Sequence, residues 1–291
     1  MHFKRSNDNH STVLHEGQVP YLTFRKLDQA GVRHGFSTRM GGVSQGMFSS
    51  MNLSYTRGDD EASVDENFRR IGQAIGFDEK KLVFSNQIHD TMIRRVGKED
   101  CGKVMTGMDG LVTDVPGVPL YTGYADCVPL FFFDPVKKVA ALAHSGWKGT
   151  VGRIGEKMVK QMKDGYGCRP EDIVAAVGPS ICRDCYEVSE DVAEQFIKEF
   201  SAHPKEEFLD RKENDKYQLD LWKANEIILT EAGILQENLD ITDLCTCCNS
   251  DYLFSHRATK GKRGNLGAFI VLECDIIFTI GKDYHIIKRK F

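Results

Sequence analysis

Pro129-Leu130-Phe131-Phe132-Phe133 and, a few residues on, Val139-Ala140-Ala141-Leu142-Ala143-His144-Ser145-Gly146-Trp147-Lys148-Gly149-Thr150 form the most telling stretch of this chain. Both apolar runs read as buried strands, too short for helices and free of polar interruption. The second ends directly in a histidine. Gly146 and Gly149 then permit a tight turn or the close approach of a ligand, and a helix follows whose N-terminus favours anions. The segment is not a Walker loop, because Gly-x-x-x-x-Gly-Lys-[Ser/Thr] is absent.

Outward from this centre, further strand-like runs recur at Val32 to Ser37, Lys81 to Phe84, Gly110 to Thr113, Val118 to Tyr121, Ile173 to Val177 and Ala268 to Leu272. Two more stand near the end, Asp275 to Ile280 and Tyr284 to Lys288. Helical spacing of apolar residues predicts helices over Val64 to Ile75, Gly149 to Met162, Ser189 to Phe200 and Leu219 to Ala232. Strands and helices mix without regular βαβ alternation. The expectation is therefore an α/β (α+β) single-domain layered sandwich, with mixed β-sheets flanked by helices, over residues 16–291. The polar residues 1–15 are expected to fray.

Composition narrows the function. At 291 residues with 41% hydrophobic and 27% charged content, the chain has ample material for a core and the balance of a soluble globular protein. A net charge of -4 gives no support for nucleic-acid binding, which calls for a basic excess. No run approaches a membrane span of about 20 apolar residues, and the first residues lack the apolar core of a signal peptide. The expected location is cytoplasmic. Nine cysteines in a reducing compartment are core residues, metal ligands or reactive thiols rather than disulfides.

Three soft ligands stand beside strand-like runs: His89, Cys127 and His144. Two imidazoles and a thiolate suit zinc, with copper possible, and a three-ligand set leaves a position for water or substrate. Asp126, just before Cys127, is placed to orient a ligand imidazole or relay a proton. A second group is Cys182-x-x-Cys185 with Cys245, Cys247 and Cys248. Read as Cys245-x-Cys247-Cys248, its second half lacks the usual two-residue spacing, and about 60 residues intervene, so surface or core thiols are the expectation over a structural zinc site. Glycine-rich loops around Arg39 and around Arg257 to Gly264 offer guanidinium groups for phosphate or carboxylate.

The ordered series Gly35-Phe36-Ser37-Thr38-Arg39-Met40-Gly41-Gly42-Val43-Ser44, Ser50-Met51-Asn52-Leu53, Gln87-Ile88-His89, Asp109-Gly110-Leu111-Val112-Thr113, Ala125-Asp126-Cys127-Val128-Pro129, Ala143 to Thr150, Gly178-Pro179-Ser180-Ile181, Cys185-Tyr186-Glu187-Val188, Cys245-Thr246 and Phe254-Ser255-His256-Arg257 resembles the laccase-domain purine nucleoside phosphorylase family, the YfiH-like group formerly described as polyphenol oxidases. The resemblance runs from about residue 31 to 270. It implies a metal site at strand ends, with His89, Cys127 and His144 as zinc ligands or catalytic trio. It also implies phosphorolysis of adenosine, inosine and methylthioadenosine to free base and a ribose 1-phosphate, with adenosine deamination as a second activity. Arg39, Asn52 and Arg257 match pocket positions. The partners implied are purine nucleosides and inorganic phosphate. Three departures stand out: Asp90 follows His89 where glycine is usual, Cys182 replaces glycine, and Gly264-Asn265 replaces Gly-Arg, with Arg263 beside it as a substitute cation.

For deamination, zinc lowers the pKa of a bound water to roughly 7, and a carboxylate, Asp126 in preference to Asp90, moves the proton to the leaving ammonia. Phosphorolysis needs a cation for phosphate, from Arg39, Arg257 or Lys148. The alternatives are a cysteine hydrolase using Cys127 with His89 or His144, a copper-dependent phenol oxidase, and a non-catalytic zinc-binding protein.

Overall fold

The computed structural model describes residues 1–213 and 215–273, with the backbone of 277–280 and 283–286. Its centre is the expected pair of strands, Val128–Asp134 and Val139–Ser145, paired antiparallel with Phe132 opposite Ala141 and His144 opposite Pro129. Every residue of both strands is buried. Alternation of side chains then sends Leu130, Phe132, Ala141 and Ala143 to one face and Phe131, Phe133, Ala140 and Leu142 to the other. A strand covered on both sides must be apolar throughout, which is why the run reads without interruption.

These strands lie inside a six-stranded mixed sheet, in the order Leu239–Ile241, Val174–Val177, Val128–Asp134, Val139–Ser145, Gly110–Thr113, Ile93–Arg95. The Phe131 face packs on a seven-stranded mixed sheet ordered Thr12–His15, Tyr21–Phe24, Arg33–Ser37, Leu266–Val271, Leu120–Tyr124, Val83–Asn86, Val104–Thr106. The Phe132 face packs under the helices Ile154–Tyr166 and Leu221–Glu231 through Ile154, Met158, Ile228 and Leu229. A third helix, Glu61–Ile75, covers the outer face of the larger sheet with Val64, Phe68, Ile71 and Ile75 against Tyr121 and Phe269. The layered α/β sandwich is thus the observed fold. Each fully buried Phe or Leu in these layers contributes about 1.5–3 kcal/mol of transfer free energy.

One detail differs from the sequence reading. The helix expected over Gly149 to Met162 is broken: Trp147–Val151 ends at Gly152, and Ile154–Tyr166 starts after Arg153 in the left-handed region (φ 57°). Arg153 is held there by Glu156, Glu199 and Glu231. Within residues 1–15, expected to fray, several contacts to the body of the chain are present. Arg5 pairs with buried Asp243, the Lys4 amide donates to Asn249, and Thr12–His15 forms an edge strand on Tyr21–Phe24. Of the two C-terminal runs, Ile277–Ile280 and Asp283–Ile286 pair antiparallel, and the remainder lies outside the described residues. Among the described residues no helix is long and apolar enough to cross a membrane.

His34 gives the fold a pH dependence. Its ring is fully buried, Nε2 accepts the Phe24 amide at 2.9 Å, and Nδ1 donates to the Val32 carbonyl at 3.0 Å. Burial holds its pKa below the ordinary histidine value. The unfolded chain takes up this proton below about pH 6.5, whereas the folded chain resists. The contribution is therefore complete above that pH and is lost as pH falls through the folded value. Thermal unfolding midpoints at about pH 7.5 and 5.5 should fall less in His34→Gln than in the wild type, and equal falls would refute this.

Candidate metal centre

Three segments converge at the ends of the central strands. His144 is the penultimate residue of Val139–Ser145, Cys127 directly precedes Val128–Asp134, and His89 sits in the turn after Val83–Asn86. One ligand atom from each lies within 4.8 Å of the other two. The imidazoles of His89 and His144 stand nearly perpendicular, 89° apart with centroids at 4.8 Å. A side chain at Gly146 would intrude: a Cβ there would lie 3.2 Å from Cys127 Sγ and 3.4 Å from His89 Cδ2. Glycine therefore lets the turn close over the trio.

Asp109 organises this centre. Fully buried, it accepts the His144 Nδ1 at 2.8 Å and the amides of Ile88, His89 and Asp90 at 3.0, 3.1 and 3.0 Å. One carboxylate thus fixes the His144 tautomer, leaving Nε2 for the site, and holds the turn that places His89 in the left-handed region (φ 62°). Burial would push the Asp109 carboxyl up, but bonds from His144 and the turn amides hold it below the usual range. The sequence reading quoted Asp109 without assigning it a role. An acid at the entrance to the strand Gly110–Thr113 was the available signal.

Electrostatics favour the ligand form of the thiol. Burial would raise the Cys127 pKa, yet the adjoining His144 charge and hydrogen bonds from His144 and His89 bring it to about 6. Burial would lower His144, and the Cys127 charge with the Asp109 bond raise it to about 9. A thiolate and two aimed imidazoles fit a borderline-soft cation, as zinc and copper are.

The trio lines an open cavity of about 710 Å³. Its walls are aromatic and apolar at Phe84, Tyr121, Tyr186 and Trp147, and cationic at Arg257 and Arg263. Asp126 lines the wall, but its oxygens accept Thr246 Oγ1 at 2.6 Å and the Arg257 amide at 2.7 Å. That is a loop-holding arrangement rather than that of a free proton carrier. Arg257 donates to the carbonyls of Cys185 and Glu187.

Arg39 and Asn52 are not among the cavity-lining residues. Arg39 donates to the Ser49 and Ser250 carbonyls and lies over Phe254, while buried Asn52 bonds Ser54, Asp59 and the Asn265 amide. Both hold loops. Lys148 also stands off the cavity, exposed beside the Trp147 ring. Arg263, by contrast, is half-buried in the wall with an Nε that has no partner among the described residues. Burial and the nearby Arg57 draw its pKa to about 10, which leaves it a cation at neutral pH.

Fold and site together define a laccase-domain protein. The profile described as multi-copper polyphenol oxidoreductase laccase matches residues 33–273, and the chain belongs to that family, in its YlmD/YfiH-like group of purine nucleoside phosphorylase homologues. The protein named purine nucleoside phosphorylase YlmD from Bacillus subtilis is 39% identical over 81% of this chain and 87% of its own length. A purine nucleoside phosphorylase from Deinococcus radiodurans is 40% identical over 87% of this chain and 94% of its own. The crystal structure of the Bacillus licheniformis hypothetical protein YfiH superposes with a TM-score of 0.84 at 32% identity, covering 89% of this chain and 99% of that one.

Proposed function

We propose that this chain is a purine nucleoside phosphorylase acting on adenosine, inosine and methylthioadenosine, with zinc-dependent adenosine deamination as a second activity of the same site. The observation that carries the reading is the His89–Cys127–His144 trio lining a nucleoside-sized cavity whose wall presents Arg263, its Nη1 held by Asn265 and its Nε without a partner among the described residues. Kinship with proteins named for this activity supports it.

In this reading His89, Cys127 and His144 hold the ion, which when bound supplies a Lewis acid. Asp109 keeps both imidazoles aimed. The aromatic wall takes the purine ring, and Arg263 with Arg257 holds phosphate against the anomeric carbon. The glycosidic C–N bond breaks as a phosphate oxygen bonds to that carbon, and the base leaves with the proton that hydrogen phosphate gives up. Asp126 acts as a positioning residue, because its two bonds fix Thr246 and Arg257 around the opening.

Chromatography of products from adenosine, with and without phosphate, tests the substrate assignment. Adenine formed only with phosphate supports phosphorolysis, and inosine formed without it supports deamination. Neither product from zinc-loaded protein would refute the reading. Turnover that survives chelation but not thiol alkylation would instead favour a hydrolase using the Cys127–His144 pair.

A further inference from the structure

A second cluster of soft ligands lies beside the cavity wall and outside the trio. The sulfurs of Cys182, Cys185, Cys245 and Cys248 all lie within 4.8 Å of one another. We propose that these four cysteines bind a structural zinc ion as a tetrathiolate site. Tetrahedral zinc with bonds of about 2.3 Å to sulfur sets the sulfurs about 3.8 Å apart, so sulfurs all within 4.8 Å of one another can close on the ion with small shifts. Cys185 Sγ and Cys248 Sγ are 3.4 Å apart, far beyond the about 2.05 Å of a disulfide, and all four cysteines are free.

The spacing supports the same assignment. With Cys247 left out, the second half is Cys245-x-x-Cys248, matching Cys182-x-x-Cys185. Intervening Cys247 had masked this pair. Each pair sits on a tight turn: the Cys185 amide donates to the Cys182 carbonyl at 3.1 Å, and the Cys248 amide donates to Cys245 Sγ at 3.4 Å. A second amide, that of Cys182, reaches the same sulfur at 3.3 Å.

Such an ion would fasten two loops that carry the cavity wall. The first loop bridges the second through Ser180 and Cys245, and the Thr246 amide donates to the Ser180 carbonyl at 3.0 Å. Arg257 reaches the Cys185 carbonyl, and Thr246, between the second pair of ligands, holds Asp126. The long separation in sequence makes the crosslink consequential, because it closes a loop of some 60 residues.

Zinc content and ligation separate this site from the trio. Full-length protein prepared without chelator should carry about two zinc ions per chain in the wild type, and about one in either Cys127→Ala or Cys182→Ala. Zinc X-ray absorption of Cys127→Ala should give a shell of sulfur alone at about 2.3 Å. A Cys127→Ala protein without zinc, a shell containing nitrogen or oxygen, or loss of free thiols to a Cys185–Cys248 disulfide would overturn the proposal. If either variant fails to fold, the wild-type spectrum decides: a sulfur-rich shell averaged over two sites supports it, and a shell with at most one sulfur per zinc contradicts it. A wild type holding only the all-sulfur ion would leave this inference standing and remove zinc from the trio.

Discussion

Cys127→Ala should lower phosphorolysis of inosine by about 10³-fold or more, the equivalent of several kcal/mol of lost transition-state stabilisation. The thiol is the central member of the trio. It lies 3.2 Å from where a Gly146 Cβ would stand and faces both imidazoles. Alanine removes the softest ligand and leaves His89 and His144, a pair too poor in charge to hold a divalent ion tightly. The fold should survive, because Cys127 is only partly buried at the edge of the core and its loss creates little cavity. Steady-state rates together with an unfolding curve would separate the two effects. Activity within tenfold of wild type would remove the trio from the chemistry.

Asp109→Asn should cost about 10–100-fold in metal affinity or activity while leaving all three ligands in place. The carboxylate accepts four hydrogen bonds, one from His144 and three from the turn that carries His89. An amide nitrogen at either oxygen position would face a donor, so the ring or the turn must rotate. Because Asp109 touches neither cavity nor metal position, the deficit should appear as a weaker zinc titration endpoint as well as a lower kcat. Unchanged zinc affinity would show that the histidines are aimed by packing alone.

The parts of the fold legible in sequence were those whose residues answer to one requirement. Strands 128–134 and 139–145, covered on both faces, must be apolar at every position, and the helix Glu61–Ile75 must be apolar along one stripe. Three-residue strands such as Ile93–Arg95 and Glu187–Ser189 show no periodicity, and their pairing partners create them. The break at Arg153 was hidden for a similar reason, since three distant or local glutamates hold it.

The candidate site divides the same way. His89, Cys127 and His144, chosen as three soft ligands beside strand-like runs, are brought together by the fold. Arg39 and Asn52, expected at the pocket, tie loops beside it, because a buried asparagine that ties loops resembles in sequence one that binds substrate. Arg263 could be placed only through its surroundings, a half-buried guanidinium with a bare Nε. The four clustered cysteines were obscured by an extra thiol within the second pair.

The most direct measurement follows isotopically labelled inorganic phosphate into sugar, with inosine as the nucleoside and zinc-loaded wild type beside Cys127→Ala. The account predicts label in ribose 1-phosphate in equal amount to hypoxanthine for the wild type, and essentially none for the variant. Hypoxanthine released without label, or label incorporated equally by both proteins, would contradict phosphorolysis at this centre.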